Sequence, residues 1–174
     1  NDGGAAGSIG QATSAAANLV LDGGTLQYTG VTASTDRAFT ITAAKTGTID
    51  VSTAGSTLTI SGASAATTGA LTKIGLGTLL LSGDNTYTGA TTVNAGTLKA
   101  GVDTVAGVSG AFGVGSAVTV GSAGTLDLGG FNETIGSLAG AAGGIVTNTV
   151  AAAKTLTVGD AASTSFSGII QNGT

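Results

Sequence analysis

Cysteine, methionine, tryptophan, proline and histidine are all absent from this 174-residue chain, and each absence removes a class of protein. Without cysteine there is no disulfide scaffold and no metal–thiolate centre. Without histidine there is no imidazole acid–base relay and no Ser-His-Asp triad. A chain with no methionine is expected to be a segment of something longer, and Asn1–Gly10 carries neither the basic start nor the apolar stretch of a signal peptide. Aromatic side chains are only 3% of the residues, so a core here is built from Leu, Val, Ile and Ala in thin layers. Charge is scarce too: 8% of residues, five basic against nine acidic, give a net charge of -4. So few cations cannot neutralise a run of phosphates, which predicts no nucleic-acid partner. No apolar run approaches the roughly 20 residues of a membrane-spanning helix, so no membrane span is expected.

What is abundant is glycine, 32 residues without a Gly-X-Y period, together with 41% hydrophobic residues and a mean hydropathy of +0.45. This is the reverse of a disordered composition. Apolar residues alternate with small polar ones at Phe39/Ile41, Ile49/Val51, Leu58/Ile60, Leu79/Leu81, Val118/Val120, Leu126/Leu128 and Leu156/Val158. That period of two predicts strands with one buried face, Thr being the natural outward residue because its branched side chain suits the pleat. Turn clusters such as Asp22-Gly23-Gly24, Gly83-Asp84-Asn85 and Asn94-Ala95-Gly96 separate them. The alanine-dense stretches at 12–18 and 151–154 are too short and uncapped for a stable helix.

An internal repeat decides the architecture. Gly-Thr-Leu recurs at Gly24, Gly77, Gly96 and Gly124, with variants at Gly47-Thr48-Ile49 and Lys154-Thr155-Leu156. Self-similarity at roughly 20 to 30 residues predicts a solenoid. The leucine-rich repeat pattern is missing, which leaves an all-β, right-handed parallel β-helix of about seven or eight coils, a rod of roughly 35 Å. The chain 1–174 reads as one such domain, with Gly/Ala-rich loops at 1–17, 101–116 and 139–153.

The block from Leu71 to Leu98, Leu71-Thr72-Lys73-Ile74-Gly75-Leu76-Gly77-Thr78-Leu79 through Asn85-Thr86-Tyr87-Thr88-Gly89 to Gly96-Thr97-Leu98, closely resembles the autotransporter-associated β-strand repeat of bacterial type V secreted proteins. Gly124–Gly140 resembles the portion that usually follows it and Asp36–Ile41 the portion that precedes it. The resemblance implies a passenger region, exported by an outer-membrane translocator barrel outside this chain and displayed at the cell surface or released.

Candidate chemistry is sparse. Asp22, Asp50, Asp84, Asp103 and Asp127 are the carboxylates that coiling brings near one another, and paired carboxylates serve general acid–base or glycosidic chemistry. The plainer expectation makes Asp22, Asp84 and Asp103 turn residues and Asp50 and Asp127 solvated outward strand positions. One Glu (Glu133) and one Arg (Arg37) are too few for a polysaccharide lyase. Asp84-Asn85 lacks the calcium-binding β-roll pattern, and Asn85 suits an internal ladder of stacked amides. Tyr28 and Tyr87, each before Thr-Gly, read as corner residues. No catalytic, cofactor or metal residue is expected, and the chain is read as non-enzymatic. The functional expectation is a structural, adhesin-like surface module with a host or neighbouring-cell ligand. Its alternatives are a filament subunit stacking head to tail through open ends, as residues 160–174 hold one charge, Asp160, and a polysaccharide-binding or polysaccharide-degrading β-helix.

Overall fold

The computed structural model describes residues 2–7, 9–159 and 163–172. Asp160 lies outside them. The elements are β1 (Val20–Leu21), β2 (Thr25–Tyr28), β3 (Ala33–Thr35), β4 (Thr40–Ile41), β5 (Thr46–Val51), β6 (Thr57–Ile60), β7 (Ala70–Ile74) and β8 (Thr78–Leu81). They continue with β9 (Thr91–Ala100), β10 (Ala117–Asp127), β11 (Glu133–Ile135), β12 (Ser137–Gly140), β13 (Ile145–Asn148), β14 (Leu156–Val158) and β15 (Ile169–Asn172). All pairings between these strands are parallel, so the chain is a parallel β-solenoid of about seven coils.

Three sheets form its sides. Sheet 1 runs through β2, β5, β7, the first halves of β9 and β10, and β12. Sheet 2 runs through β3, β6, β8, the second halves of β9 and β10, β13 and β15. Sheet 3 is thinner, with β1 on β4, a bridge from Phe39 to Ser64, and β11 on β14. Both long strands turn the corner between sheets 1 and 2 without a break, β10 with a register shift between Val120 and Ala123. In β9 the corner is taken at Gly96, whose φ is 64° and whose missing side chain would stand 2.4 Å from the Gly75 carbonyl oxygen. Only glycine satisfies both conditions.

Alternation delivers the core as ladders. On sheet 2 the inward column is Leu58, Leu79, Leu98, Leu126, Val146 and Ile170; on sheet 1 it is Leu26, Ile49, Lys73, Val93 and Val120. The sheet 2 leucines, together with Phe39, Ile41, Tyr87, Phe112 and Ile135, form one continuous buried cluster. Stacking residues of like shape once per coil, roughly 4.8 Å apart, is what allows a core with so few aromatics.

Several expectations are corrected. The Gly-Thr-Leu element opens β2 and β8 and lies within β9 and β10, and it is not a marker of coil phase. Thr25 and Thr48 sit on sheet 1, whereas Thr78, Thr97 and Thr125 sit on sheet 2 and Leu156 on sheet 3. True coil steps run from Leu79 against Leu98 to Leu98 against Leu126. Residues 139–153 are not a loop throughout: Ala139–Gly140 end β12, and β13 pairs with β10 on one side and β15 on the other. The Gly/Ala composition around Ile145–Asn148 masks a strand of four residues. Within 12–18 a single 3-10 turn forms at Ala16–Asn18.

The two ends differ. Residues 2–7 and 9–19 lie along the first coils, with Ala38 N donating to Ser14 O at 2.9 Å, Thr40 N to Leu19 O at 2.8 Å and Gly3 N to Asp36 Oδ1 at 2.6 Å. The cavity there, bounded by Ile9, Leu19, Leu26 and Ile60, is about 110 Å³. At the other end the opening between Leu138, Val146, Leu156 and Ile170 is about 430 Å³, and Ile170 is 69% exposed.

Candidate functional site

Alternation in Leu71-Thr72-Lys73-Ile74 puts Lys73 on the same inward face as Leu71, in register between Ile49 and Val93. It is fully buried. Its Nζ donates to Ile74 O at 2.6 Å, Gly75 O at 2.9 Å and Ala95 O at 3.3 Å. Three carbonyls match the three protons of an ammonium, and they belong to two successive coils, so this cation pins the sheet 1–sheet 2 corner. Burial pulls its pKa down to about 8, with Asp50 opposing. The alternation signal alone was enough to find it.

Glu133 is the second interior charge. It points inward from β11, opposite Leu156, and is buried. Its Oε2 accepts the Thr104 hydroxyl at 2.8 Å and its Oε1 has no partner. Burial lifts its pKa to about 8, the Thr104 bond opposing and the Asp103 charge adding to it. Burial of this kind favours the neutral acid over the carboxylate. Thr104 also receives Thr134 N at 3.1 Å, and Asp103 Oδ1 receives Asn132 N at 2.6 Å. This staples the start of the long 101–116 excursion to β11. Arg37, also buried, donates from Nη2 to Gly10 O at 2.8 Å.

The candidate carboxylates are not brought together. Asp22 stays exposed in its turn. Asp50 Oδ2 accepts Gln27 Nε2 at 2.8 Å and Ser52 Oγ at 2.9 Å, while Asp84 Oδ1 accepts Ser109 Oγ at 3.2 Å. Asp127, expected to be solvated, is buried, because Lys99 from the preceding coil and Thr149 from the following one close over it. Lys99 Nζ stands 3.0 Å from Asp127 Oδ2 and 2.8 Å from Thr149 Oγ1. Asp127 also accepts Gly129 N, Thr149 N and the Thr149 hydroxyl. Burial alone would raise its pKa, but the bonds from Thr149, Gly129 and Lys99 outweigh it and hold the carboxyl below its usual range. A carboxylate so fully engaged is no base. Among the described residues no group of three or more Asp and Glu is placed to hold a metal ion.

Asn85 is internal, but it stacks on no second amide: backbone groups of the neighbouring coils take the place of the expected ladder. Its Oδ1 accepts Ser64 N at 2.8 Å from the coil before, and its Nδ2 donates to Ala111 O at 2.9 Å in the coil after. The two tyrosines are not equivalent corners: Tyr87 is buried, whereas Tyr28 is half-buried and donates to Val31 O.

On the outside of sheet 2 the Lys99–Asp127 pair lies in a shallow groove of about 440 Å³. Thr57, Thr78, Thr97 and Thr125 run along it, one per coil and in register. Such a surface can bind and orient hydroxyl-bearing or amide-bearing ligands; it offers no free acid, base or nucleophile of perturbed reactivity.

Residues 71–100, from β7 to the end of β9, match the passenger-associated transport repeat family. Over 172 residues the chain is 48% identical to the adhesin BmaC autotransporter of Brucella suis biovar 1 (strain 1330). The match takes in 97% of this chain and 5% of that relative's length. No solved structure matches the chain. Lys73 and Asn85 both fall inside the matched repeat, and with nearly the whole chain aligned to that adhesin, this solenoid is a homologue of a segment of an autotransporter adhesin and carries a passenger-associated transport repeat at residues 71–100.

Proposed function

We propose that the chain is a structural, non-catalytic solenoid segment of a passenger region, carried to the cell surface by a translocator barrel elsewhere in its protein and serving there to space and present binding surfaces. The observation that carries this reading is in-register parallel stacking through about seven coils in a chain 48% identical to an autotransporter adhesin. The polar interior groups support it: Lys73, Asn85 and Glu133 each hold neighbouring coils together rather than line a cleft. A stacked rod of this kind is stabilised coil by coil, each coil contacting its neighbours. Protease shaving of intact bacteria bearing the full-length parent protein tests the reading. Release of this segment without cell lysis is the expected result, and protection until lysis overturns it.

A further inference from the structure

We propose that the outward face of sheet 2 is a binding groove for an extended, neutral glycan strand laid along the solenoid axis. The inference deepens the adhesin-like reading above by naming the ligand chemistry. Thr57, Thr78, Thr97 and Thr125 face out of four successive coils in one column. Their hydroxyls spend no hydrogen bond on the described chain, which leaves a row of four donors and acceptors at the coil spacing of roughly 4.8 Å. That spacing is close to the advance per monosaccharide in an extended glycan, so successive sugars meet equivalent threonines.

Two further observations point to a ligand. Thr147 lines the same groove, is 6% exposed, and its Oγ1 has no hydrogen-bond partner. A buried hydroxyl left unpaired is costly unless something polar completes it. Lys99 and Asp127 cancel each other's charge at the middle of the groove, which disfavours a polyanion and suits an uncharged polyol. The ammonium has three protons and gives two to Asp127 and Thr149, so one remains for a ring or hydroxyl oxygen. Leu80 adds an apolar patch for the face of a pyranose ring. Because Asp127 accepts four bonds, the groove binds and does not cleave.

The test is methyl NMR of the threonine-labelled chain titrated separately with cellohexaose, laminarihexaose and a heparin hexasaccharide. A neutral hexasaccharide should shift the methyls of Thr78, Thr97, Thr125 and Thr147. Replacing Thr78, Thr97 and Thr125 together by Val, a substitution that keeps the branched shape, should weaken binding roughly tenfold or more. The matched triple Thr48→Val, Thr72→Val and Thr92→Val on sheet 1 should leave binding unchanged. If the sheet 2 triple variant does not fold, Lys99→Met takes its place with the same expected direction. No shift from either neutral probe at about 10 mM, binding of heparin alone, or shifts confined to sheet 1 each overturns the proposal. Surface display is read separately by protease shaving, so failure of the groove does not touch the passenger reading.

Discussion

The hydroxyls of Tyr87 and Thr91 lie 2.8 Å apart, with both residues wholly buried. Ser116 Oγ commits its proton to Gly89 O at 2.8 Å, so Thr91 gives its single proton to Ser116 at 2.9 Å in preference to the more distant Phe112 O at 3.3 Å, and Tyr87 donates to Thr91. The result is a directed chain of three hydroxyls joining two coils. Burial holds the Tyr87 phenol well above its ordinary pKa, so it stays a donor in alkaline solution.

The middle link of that chain should matter most. Tyr87→Phe removes one donor and leaves Thr91 bonded to Ser116, which costs about 1 kcal/mol. Thr91→Val strands the Tyr87 proton and leaves Ser116 without its donor, costing about 2–3 kcal/mol. Urea denaturation of both variants checks the order; equal losses would mean that the chain is not directed as described.

Gly75 and Gly55 share a φ of 78°, yet their surroundings differ. A methyl group on Gly75 would stand 2.1 Å from Asp50 Oδ1 and 2.4 Å from Val51 O, while Gly55 has nothing within 4 Å. Gly55→Ala should therefore cost only the left-handed backbone penalty, about 1 kcal/mol. Gly75→Ala adds a clash with fixed backbone and should cost about 3 kcal/mol or more. Thermal melts of the two variants measure the difference directly.

Glu133 gives stability a particular pH dependence. Its folded pKa of about 8 lies above the unfolded value of 4.5. The stabilisation is therefore complete below pH 4.5 and is lost as the pH rises through 8. Glu133→Gln keeps the neutral shape, so the stability of the original protein relative to this variant should fall steadily between those limits. Lys73 acts at higher pH and with the opposite sign. With its pKa lowered from 10.5 to about 8, the folded state favours the neutral amine, and stability rises as the pH climbs from 8 to 10.5. Paired denaturant titrations of Glu133→Gln and Lys73→Met across pH 4 to 10 separate the two. A flat difference for Glu133→Gln would show that Glu133 is ionised in the fold.

Much of this fold was legible because period-two alternation and parallel stacking are one rule applied repeatedly. Leu58, Leu98 and Leu126 are each flagged by polar residues on both sides and Leu79 by Thr78, and their stacking follows from the repeat. Phase was not legible. Gly-Thr-Leu opens β2 on sheet 1 and β8 on sheet 2, and recurs inside β9 and β10 where each enters sheet 2, so the same three residues report no single phase. Alternation places Lys73 on the inward face with Leu71, but nothing in its own strand announces the Ala95 carbonyl of the next coil that helps to satisfy its charge there. The burial of Asp127 was not legible at all. It depends on Lys99 and Thr149, 28 residues before it and 22 after it in sequence, arriving from the coils on either side, and single-strand patterns do not report neighbours across coils.

Asn85 offers the sharpest test of how polar groups hold the coils together. Its side chain completes two buried backbone groups at once, the Ser64 amide and the Ala111 carbonyl. Asn85→Ala orphans both and should cost about 2–4 kcal/mol. Asn85→Asp preserves shape and still accepts from Ser64, but an ionised carboxylate has no proton for Ala111 O, and its charge is buried. Protonation restores the donor. Asn85→Asp should therefore be strongly destabilised at pH 7 and recover part of the loss at pH 4, whereas Asn85→Ala should show no such recovery. Calorimetry of the two variants at both pH values decides it. If Asn85→Asp and Asn85→Ala respond alike to acid, the Nδ2–Ala111 bond is not what secures the coil.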